Sequence, residues 1–398
     1  MRVGTPGFVP GRLTEARAAR RIPSMSALAR GMSLNPSTVS RWEDGTSAPD
    51  PEALMNLANY LSVRPEYFMR PIHDSGRPVF LRSLSTTLVR DLDYQRGQMR
   101  WLQEISHAIT HYVDLPEVDV PDVLGGMSYR QLRDDDIERI ALDLRRHWRA
   151  GEGPCPDIVT LLERAGIVVS VIEMGTIKLD GLCSWAPEDG RPHILLASDK
   201  MSFPRRQMDA AHEMAHALLH RTVTAEELKR DLKLIESQAF RLASAFLLPS
   251  TTYPIELRTP SLAAMVTAKE RWRVSIKAQI KRLSDLEVIP PEYVTHLYKL
   301  YSAKGWSREE PLDRHWTPSE PRLVRDALHL IVDENVRSKQ DLLALEFTMS
   351  AGDIENLAGL PAGWFSHEPA EIVQLKPNTG TSRYENAEIL QFSPRKNR

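Results

Sequence analysis

One short stretch constrains the fold of this chain more than any other feature. Residues 210–219 are small or apolar except at three positions, which are His212, Glu213 and His216. The apolar background suits a helix buried beside a sheet, where ionisable groups carry a large desolvation cost unless a partner offsets it. Because residues four apart share one face of a helix, both imidazoles can reach a single metal ion. The stretch therefore predicts a buried helix with a metal site.

A third metal ligand would come from another part of the chain. Glu236 lies on the next predicted helix and precedes the small residues Ala239 and Ala243, which permit close approach to the first helix. Its carboxylate can complete a set of two His and one Glu, a ligand set of catalytic zinc sites. His220 is the rival, since it follows His216 by four residues. Three ligands along one helix would span about 12 Å, too long for one zinc, so we expect His220 beside the site or on the surface.

Glu213 is adjacent to the first His and can hold a metal-bound water. Zinc with three protein ligands keeps a fourth position for water and lowers the pKa of that water to about 7. A neighbouring carboxylate can then act as base, and as acid toward the leaving amine. The alternative is a partly buried helix that carries two ordinary histidines. A preceding strand pair favours the metal site, because peptidases hold extended substrates on such an edge.

Residues 207–220 and 236–249 resemble the ImmA/IrrE family of zinc metallopeptidases. The first segment contains the His-Glu-x-x-His motif, and the second contains Glu-x-x-Ala and ends at a Pro. The resemblance extends over about 134–311. Ala215 departs from the family, which usually has Gly there, and Gln207 stands where an Arg is common.

The resemblance also implies roles for four residues. His212, His216 and Glu236 would bind Zn²⁺, and Glu213 would be the catalytic base. Ala in place of Gly at position 215 favours the helix but adds a methyl group near the sheet. This departure leaves the ligands intact and so bears on efficiency more than on zinc binding.

A second motif lies near the N-terminus. Residues 24–45 predict a helix at 25–32, a turn at 33–35 and a second helix at 36–44. Short polar groups and one Arg would project from the start of the second helix and suit base edges and phosphates in a major groove. These residues are Ser37, Thr38, Ser40 and Arg41.

The charge near this motif supports contact with nucleic acid. Residues 1–31 carry six Arg, among them Arg20 and Arg21, against a single Glu, a net charge of +5. Such local charge suits phosphate contacts. The alternative is an amphipathic helical bundle with a solvated basic face.

The same region resembles the XRE (Cro/C1-type) helix-turn-helix family, over about residues 11–69. The resemblance is carried by residues 37–45, by Pro49 and by the apolar spacing of residues 54–61. It implies a DNA-binding bundle of five helices. Met25 stands where the family often has a Gln that touches DNA, and Ser33 stands where the turn often has Gly.

The remaining sequence predicts a mainly α chain with a small α/β part. Apolar spacing predicts helices at 85–113, 134–148, 156–165, 205–220, 232–247, 261–286, 291–301, 323–333 and 339–347. Apolar and β-branched runs predict strands at 167–172, 182–185 and 193–197, the last two joined by a hairpin-like turn. We expect a zincin-like domain in which this small sheet packs on the helix of the two His.

The predicted organisation has five parts. They are the helix-turn-helix domain at 1–70, a linker with the long helix at 71–122, the ImmA/IrrE-like metallopeptidase domain at 123–255, a helical C-terminal region at 256–375 and a polar tail at 376–398.

Composition narrows the possible functions. The 398 residues carry a net charge of −2, so any DNA binding is confined to a local surface. Two cysteines, Cys155 and Cys183, cannot make a disulfide framework or a Cys-based zinc cluster, which fits a reducing cytosol. The sequence contains no run of 18 apolar residues, and residues 1–10 lack the apolar core of a secretion signal. We therefore expect a cytoplasmic protein with no membrane association.

Three minor features have structural interpretations. The basic segment 268–282 predicts a solvated helix face in preference to a second nucleic-acid surface. Cys183 is best interpreted as a buried, inert thiol. Residues 338–357 loosely match helix-turn-helix spacing, which we interpret as packing.

These features together predict a DNA-binding transcriptional regulator with a zinc-dependent peptidase domain. We expect a homodimer on a short inverted repeat of double-stranded DNA. The resemblance implies cleavage of a helix-turn-helix repressor or of the chain's own linker. One alternative is a non-catalytic repressor or toxin–antitoxin component whose zincin-like body is a scaffold, a sensor or a binding module for a repressor or toxin protein. Another is a zinc-stabilised interaction module whose tail, after Lys376, wraps a partner.

Overall fold

The structure is a computed structural model that describes residues 4–72, 80–81, 89–174, 179–199 and 202–366. By its internal contacts the chain separates into Met1–Phe365 and Ser366–Arg398. The predicted polar tail at 376–398 and the first part of the long helix predicted at 85–113 lie outside the described residues.

Five short helices form the N-terminal part, as the sequence predicts. They are α1 (Pro10–Ala19), α2 (Met25–Gly31), α3 (Pro36–Glu43), α4 (Pro51–Leu61) and a 3₁₀ helix (Pro65–Met69). Ser24, Asn35 and Asp50 cap α2, α3 and α4, because each side chain accepts a hydrogen bond from a backbone N–H of the first turn. The helices close over a fully buried core that includes Leu13 and Leu28. We refer to this bundle, residues 4–72, as the head.

A long helix joins the head to the sheet. Helix α5 (Val89–Ile109) packs against α1 on one side and carries the buried Leu102 and Ile105. It ends in a turn at residues 110–113, four residues earlier than predicted. Further along α5, Ser106 contacts His193 on a strand of the sheet, with 2.6 Å between Oγ and Nε2.

Within the described residues, four strands form one mixed sheet in the order β1-β3-β4-β2. They are β1 (Phe80–Leu81), β2 (Val168–Ile172), β3 (Gly181–Trp185) and β4 (Pro192–Ala197). Strand β2 is parallel to β4, whereas β3 is antiparallel to both β4 and β1. The three longer strands agree with the predicted ones, and the pairing of β1 adds an edge strand that the sequence did not predict.

The two faces of the sheet belong to different cores. On β4, Ile194 and Leu196 join a core with α6 (Asp134–His147), α7 (Ile158–Arg164), α8 (Phe203–Leu219) and α9 (Ala225–Leu247). Leu195 joins the core of the head and α5 on the opposite face. This alternation follows from the two-residue period of a strand.

The predicted pair of helices that would carry the metal ligands is present. Helix α8 packs against β3 and β4, and α9 packs along α8. The small residues Ala211, Ala215, Ala239 and Ala243 are fully buried, as close packing of two helices requires. Helix α9 begins earlier than predicted, at the capping residue Thr224, and is kinked at Asp231.

Helices continue to the end of the described chain. They are α10 (Tyr253–Glu256), α11 (Leu262–Trp272), α12 (Ile276–Asp285), α13 (Pro291–Ala303), α14 (Leu323–Asp333), α15 (Lys339–Asp341), a π turn (Leu342–Glu346) and α16 (Ala351–Ala358). The prediction of one helix at 261–286 is wrong. Arg273 adopts a left-handed conformation, with φ of 53°, and separates α11 from α12. The domain boundaries given above stay predictions.

The basic segment 268–282, predicted as a solvated helix face, contains two buried charged residues. Lys269 is fully buried and its Nζ lies 2.7 Å from Glu310 and 2.6 Å from Asp313. Arg282 is also fully buried and donates to Glu138. The prediction of a solvated face is therefore wrong at these two positions, because acidic partners from distant segments neutralise the charges.

Candidate metal centre and nucleic-acid interface

The structure brings the three predicted metal ligands together. The Nε2 atoms of His212 and His216 are 3.1 Å apart. Glu236 on α9 lies 3.4 Å from the first and 3.5 Å from the second, each measured from a carboxylate oxygen to Nε2. Both imidazoles are buried, with exposed fractions of 2% and 1%.

The donor set fits one tetrahedral zinc ion. Ligand atoms at the usual zinc distances of about 2.0–2.1 Å, in tetrahedral arrangement, are about 3.3 Å from one another. The distance between the two Nε2 atoms and the distances from Glu236 Oε2 to His212 and from Oε1 to His216 are close to this value. One ligand atom from each of the three residues lies within 4.8 Å of the other two. Among the described residues, the buried Oε1 of Glu236 accepts no hydrogen bond. Burial favours a raised pKa for Glu236, but its contacts with His212 and His216 hold that pKa well below its ordinary value.

Glu213 lies outside this ligand set, against strand β3 of the sheet. A methyl group built on Gly181 of β3 would lie only 2.9 Å from Oε1 of Glu213. The carboxylate thus sits where a side chain at position 181 would be. Because β3 is a strand to which an extended peptide could pair, this position suits a base that acts on a bound peptide.

Cys183 of β3 has the environment of an inert thiol. It is fully buried. Burial, and then the negative charge of Glu213, raise its pKa well above the ordinary value. The thiol therefore stays protonated near neutral pH, and its burial agrees with the interpretation from the sequence.

The sequence placed His220 either beside the metal site or on the surface. His220 is fully buried, so the surface position is wrong. Its Nδ1 lies 3.1 Å from Nδ1 of His216, and its Nε2 lies 3.2 Å from Oε1 of Gln238. Gln238 in turn donates from Nε2 to the carbonyl oxygen of Tyr129, at 2.6 Å. Burial, followed by the charge of His216, lowers the pKa of His220 to about 3, so its ring is neutral at pH 7.

Neither Gln238 nor Tyr129 was identified from the sequence. Gln238 lies two residues after Glu236 and faces α8 through His220. Tyr129 belongs to a 3₁₀ turn, Tyr129–Gln131, more than 100 residues earlier in the chain. The sequence offered one signal for Gln238, its position two residues after a predicted ligand. The contact with Tyr129 cannot be predicted from the sequence, because the folded chain brings the two residues together.

The departure at Gln207 has a structural role. Its Oε1 accepts a hydrogen bond at 2.7 Å from the backbone N–H of Ile158, at the start of α7, and its Nε2 donates to Cys155. The side chain therefore ties α7 to α8. Ala215, the other departure, is fully buried in the same core.

The predicted DNA-contacting residues of α3 lie at one surface of the head. Ser37 and Arg41 are exposed, and Thr38 and Ser40 are half-buried. The turn before α3 has Ser33 in a left-handed conformation, with φ of 56°, where the family often has Gly. Ser37 in the first turn of α3 and Arg41 in its last turn are thus accessible from solvent, and the DNA-contacting roles stay predictions.

Arg20 and Arg21 make contacts within the protein. Arg20 donates to both carboxylate oxygens of Asp353, at 2.6 and 2.5 Å, and to the carbonyl of Leu61. The guanidinium of Arg21 lies 4.0 Å from the centre of the Tyr94 ring on α5. Both side chains are engaged with other elements, and their proposed phosphate contacts stay predictions.

Comparison with protein families finds both predicted domains in the predicted order. Residues 15–68 match the family described as helix-turn-helix, and residues 162–284 match the peptidase family described as the IrrE N-terminal-like domain. No curated protein matches the chain significantly. Across the described residues, helices that could span a membrane are absent. The chain is a DNA-binding regulator with a peptidase-like domain.

Proposed function

We propose that this protein is a transcriptional regulator that binds double-stranded DNA through α3 and hydrolyses a peptide bond at a zinc site. The observation that carries the peptidase proposal is the geometry of His212, His216 and Glu236, whose donor atoms are spaced for one zinc ion. Glu213 is buried and adjacent to His212 in sequence, which supports it as the base that a zinc peptidase needs.

The residues of the site would divide the chemistry between them. Zinc, when bound, supplies a Lewis acid that lowers the pKa of water at its open position. Glu213 would take the proton from the attacking water and deliver it to the nitrogen of the leaving amine. The backbone of β3 would hold the substrate extended next to this carboxylate.

The pairing of β1 supports the chain's own linker as a substrate. Phe80 and Leu81 pair antiparallel with Cys183 and Leu182. The described pairs reach Leu182, the neighbour of Gly181, and Gly181 is the residue beside Glu213. A segment between the head and the body thus already occupies the edge where a peptide substrate would lie. A helix-turn-helix repressor cut in trans is the other substrate we propose.

The experiment compares the wild type with Glu213→Gln, which keeps the side-chain volume and removes the base. Cleavage of the linker, or of a co-expressed repressor, is followed by mass spectrometry. We expect about one zinc per chain in both proteins and a rate at least ~10²-fold lower in the variant. Glu163→Gln is the matched control, because Glu163 is also a buried carboxylate but caps α14 through the backbone N–H groups of residues 322 and 323.

Metal analysis tests the site itself. Glu236→Ala should lower the zinc content of metal-replete protein, because it removes one of three ligands. Zinc below about a tenth of an equivalent in the wild type, or unchanged zinc in Glu236→Ala, would contradict the proposed ligand set.

A second candidate is a regulator whose zincin-like body is a scaffold without turnover. It is favoured by the contacts that join the head to the C-terminal helices, such as the ion pair of Arg20 with Asp353. Identical cleavage patterns and identical repression in wild type and Glu213→Gln, with zinc in both, would select this candidate.

A further inference from the structure

A continuous chain of hydrogen-bonding groups leads from a proposed zinc ligand to a backbone carbonyl. Nδ1 of His216 contacts Nδ1 of His220 at 3.1 Å, and Nε2 of His220 contacts Oε1 of Gln238 at 3.2 Å. Nε2 of Gln238 then donates to the carbonyl oxygen of Tyr129 at 2.6 Å. The three side chains in this chain are at most 4% exposed.

The direction of every hydrogen bond follows from its last member. A carbonyl oxygen can only accept, so the amide group of Gln238 presents its NH₂ to Tyr129 and its oxygen to His220. That oxygen accepts, so the proton of the His220 ring lies on Nε2, and Nδ1 is the acceptor that faces His216. His216 must then donate from Nδ1. Its Nε2 is left with a lone pair, and this is the atom that lies beside Nε2 of His212 and the carboxylate of Glu236.

We propose that His220 is a positioning residue that, with Gln238 and the carbonyl of Tyr129, holds His216 in the tautomer and ring orientation needed to bind zinc through Nε2. This inference rests on the zinc site of the proposed function. Metal-binding His residues commonly donate their second ring N–H to a carboxylate, carbonyl or water, which fixes the tautomer. Here a second His fills that role, and the carbonyl of Tyr129 at the far end fixes the direction of the hydrogen bonds.

The test uses three variants of the full chain and the zinc dissociation constant, measured by competition with a chelator. His220→Phe keeps a buried ring but removes the acceptor, and the affinity for zinc should fall about 10–100-fold. His220→Asn places an amide oxygen near the position of Nδ1, so the affinity should recover to within about threefold of the wild type. His193→Phe is the control, because His193 is also fully buried but contacts Ser106 on the face of the sheet opposite α8.

Thermal unfolding of each metal-free variant checks that the chain folds. The proposal is overturned if His220→Phe binds zinc as tightly as the wild type, or if His220→Asn loses as much affinity as His220→Phe. The second outcome would mean that an acceptor at the position of Nδ1 does not account for the lost affinity. A wild-type chain that takes up no zinc overturns the proposed function itself and this assignment with it, whereas tight zinc binding without cleavage leaves this assignment standing.

Discussion

At the residue scale, Glu213, the proposed base, occupies space that is open because residue 181 is a glycine. Gly181 faces the carboxylate of Glu213, and an added Cβ would approach Oε1 to 2.9 Å. Gly181→Ala should therefore displace Glu213 and slow the proposed cleavage by about 10²-fold, the usual size of a general-base contribution. Zinc content should not change, because Gly181 is not among the ligands. Equal cleavage rates for Gly181→Ala and Gly153→Ala, whose added methyl meets no atom within 4 Å, would contradict this placement of the base.

His193 connects protonation to stability. Burial lowers its pKa to about 4, while its hydrogen bond to the carbonyl of Arg191 opposes the shift. The unfolded chain, with a His pKa near 6.5, binds the proton more tightly. The free energy of unfolding should thus fall as the pH drops from about 6.5 toward 4, by about 2 kcal/mol between pH 7 and pH 5. Urea titrations at both pH values should show this loss in the wild type and a smaller one in His193→Phe; equal losses would contradict it.

Sequence spacing predicted the cluster of His212, His216 and Glu236 better than its surroundings, for a physical reason. His212 and His216 are four residues apart, so they share one face of a helix whatever the rest of the fold. The small residues after Glu236 indicate that its helix packs closely against the helix of the two His. Gly181, Gln238 and Tyr129 act through contacts made only once α8, α9, β3 and an earlier turn are assembled. A residue whose role is to leave space or to accept a hydrogen bond has no pattern of its own in the sequence.

At the element scale, the exposed face of α3 that carries Ser37 and Arg41 is the surface on which DNA recognition can be tested. Arg41 is exposed one turn after Ser37, and its Nε donates to the carbonyl of that residue at 3.2 Å. Arg41→Ala should lower the affinity of the full chain for the DNA upstream of its own coding sequence about 10–100-fold, the range for a lost base contact. Mobility-shift titrations at several salt concentrations provide the measurement.

The control for this prediction lies on another element. Arg139→Ala removes an exposed Arg from α6, where it pairs with Asp136. Its affinity for the same DNA should match that of the wild type. Equal affinities for Arg41→Ala, Arg139→Ala and the wild type would exclude the exposed face of α3 as the recognition surface and favour a head that docks on protein.

Element boundaries show where a local pattern ceases to decide the fold. The prediction of α14 at 323–333 agrees at both ends, because an amphipathic run between two polar segments needs no further information. The predicted helix 261–286 has one continuous pattern, yet the chain turns at Arg273 so that Trp272 and Ile276 both enter the core. Strand β1 was not predicted, because a two-residue strand has no periodicity and depends on its partner β3.

At the scale of the whole molecule, the head is attached by more than its linker. The guanidinium of Arg64 donates to the carbonyl groups of Leu343, Ala344 and Phe347. Its backbone N–H donates to the carbonyl of Thr348 at 2.7 Å, and Val63 forms a bridge with Met349. Together with the ion pair between Arg20 and Asp353, these contacts form a clasp between the head and residues 343–353. The residues that Arg64 contacts in the clasp lie about 280 positions further along the chain, so no local sequence pattern predicted these contacts.

Because the clasp does not use the linker, a cut within residues 73–79 should leave the head attached. A specific protease site placed there and cut after purification should yield two fragments that elute together in size-exclusion chromatography. Asp353→Ala leaves the partly buried guanidinium of Arg20 without its carboxylate and should weaken the association by about 1–3 kcal/mol, or about 5–150-fold. Asp333→Ala, an exposed acid at the end of α14, should have no such effect. If cleavage of the linker regulates this protein, a retained head means that the cut alone does not remove it from DNA. Release of the head from the cut wild type would contradict the clasp and would make linker cleavage by itself a switch.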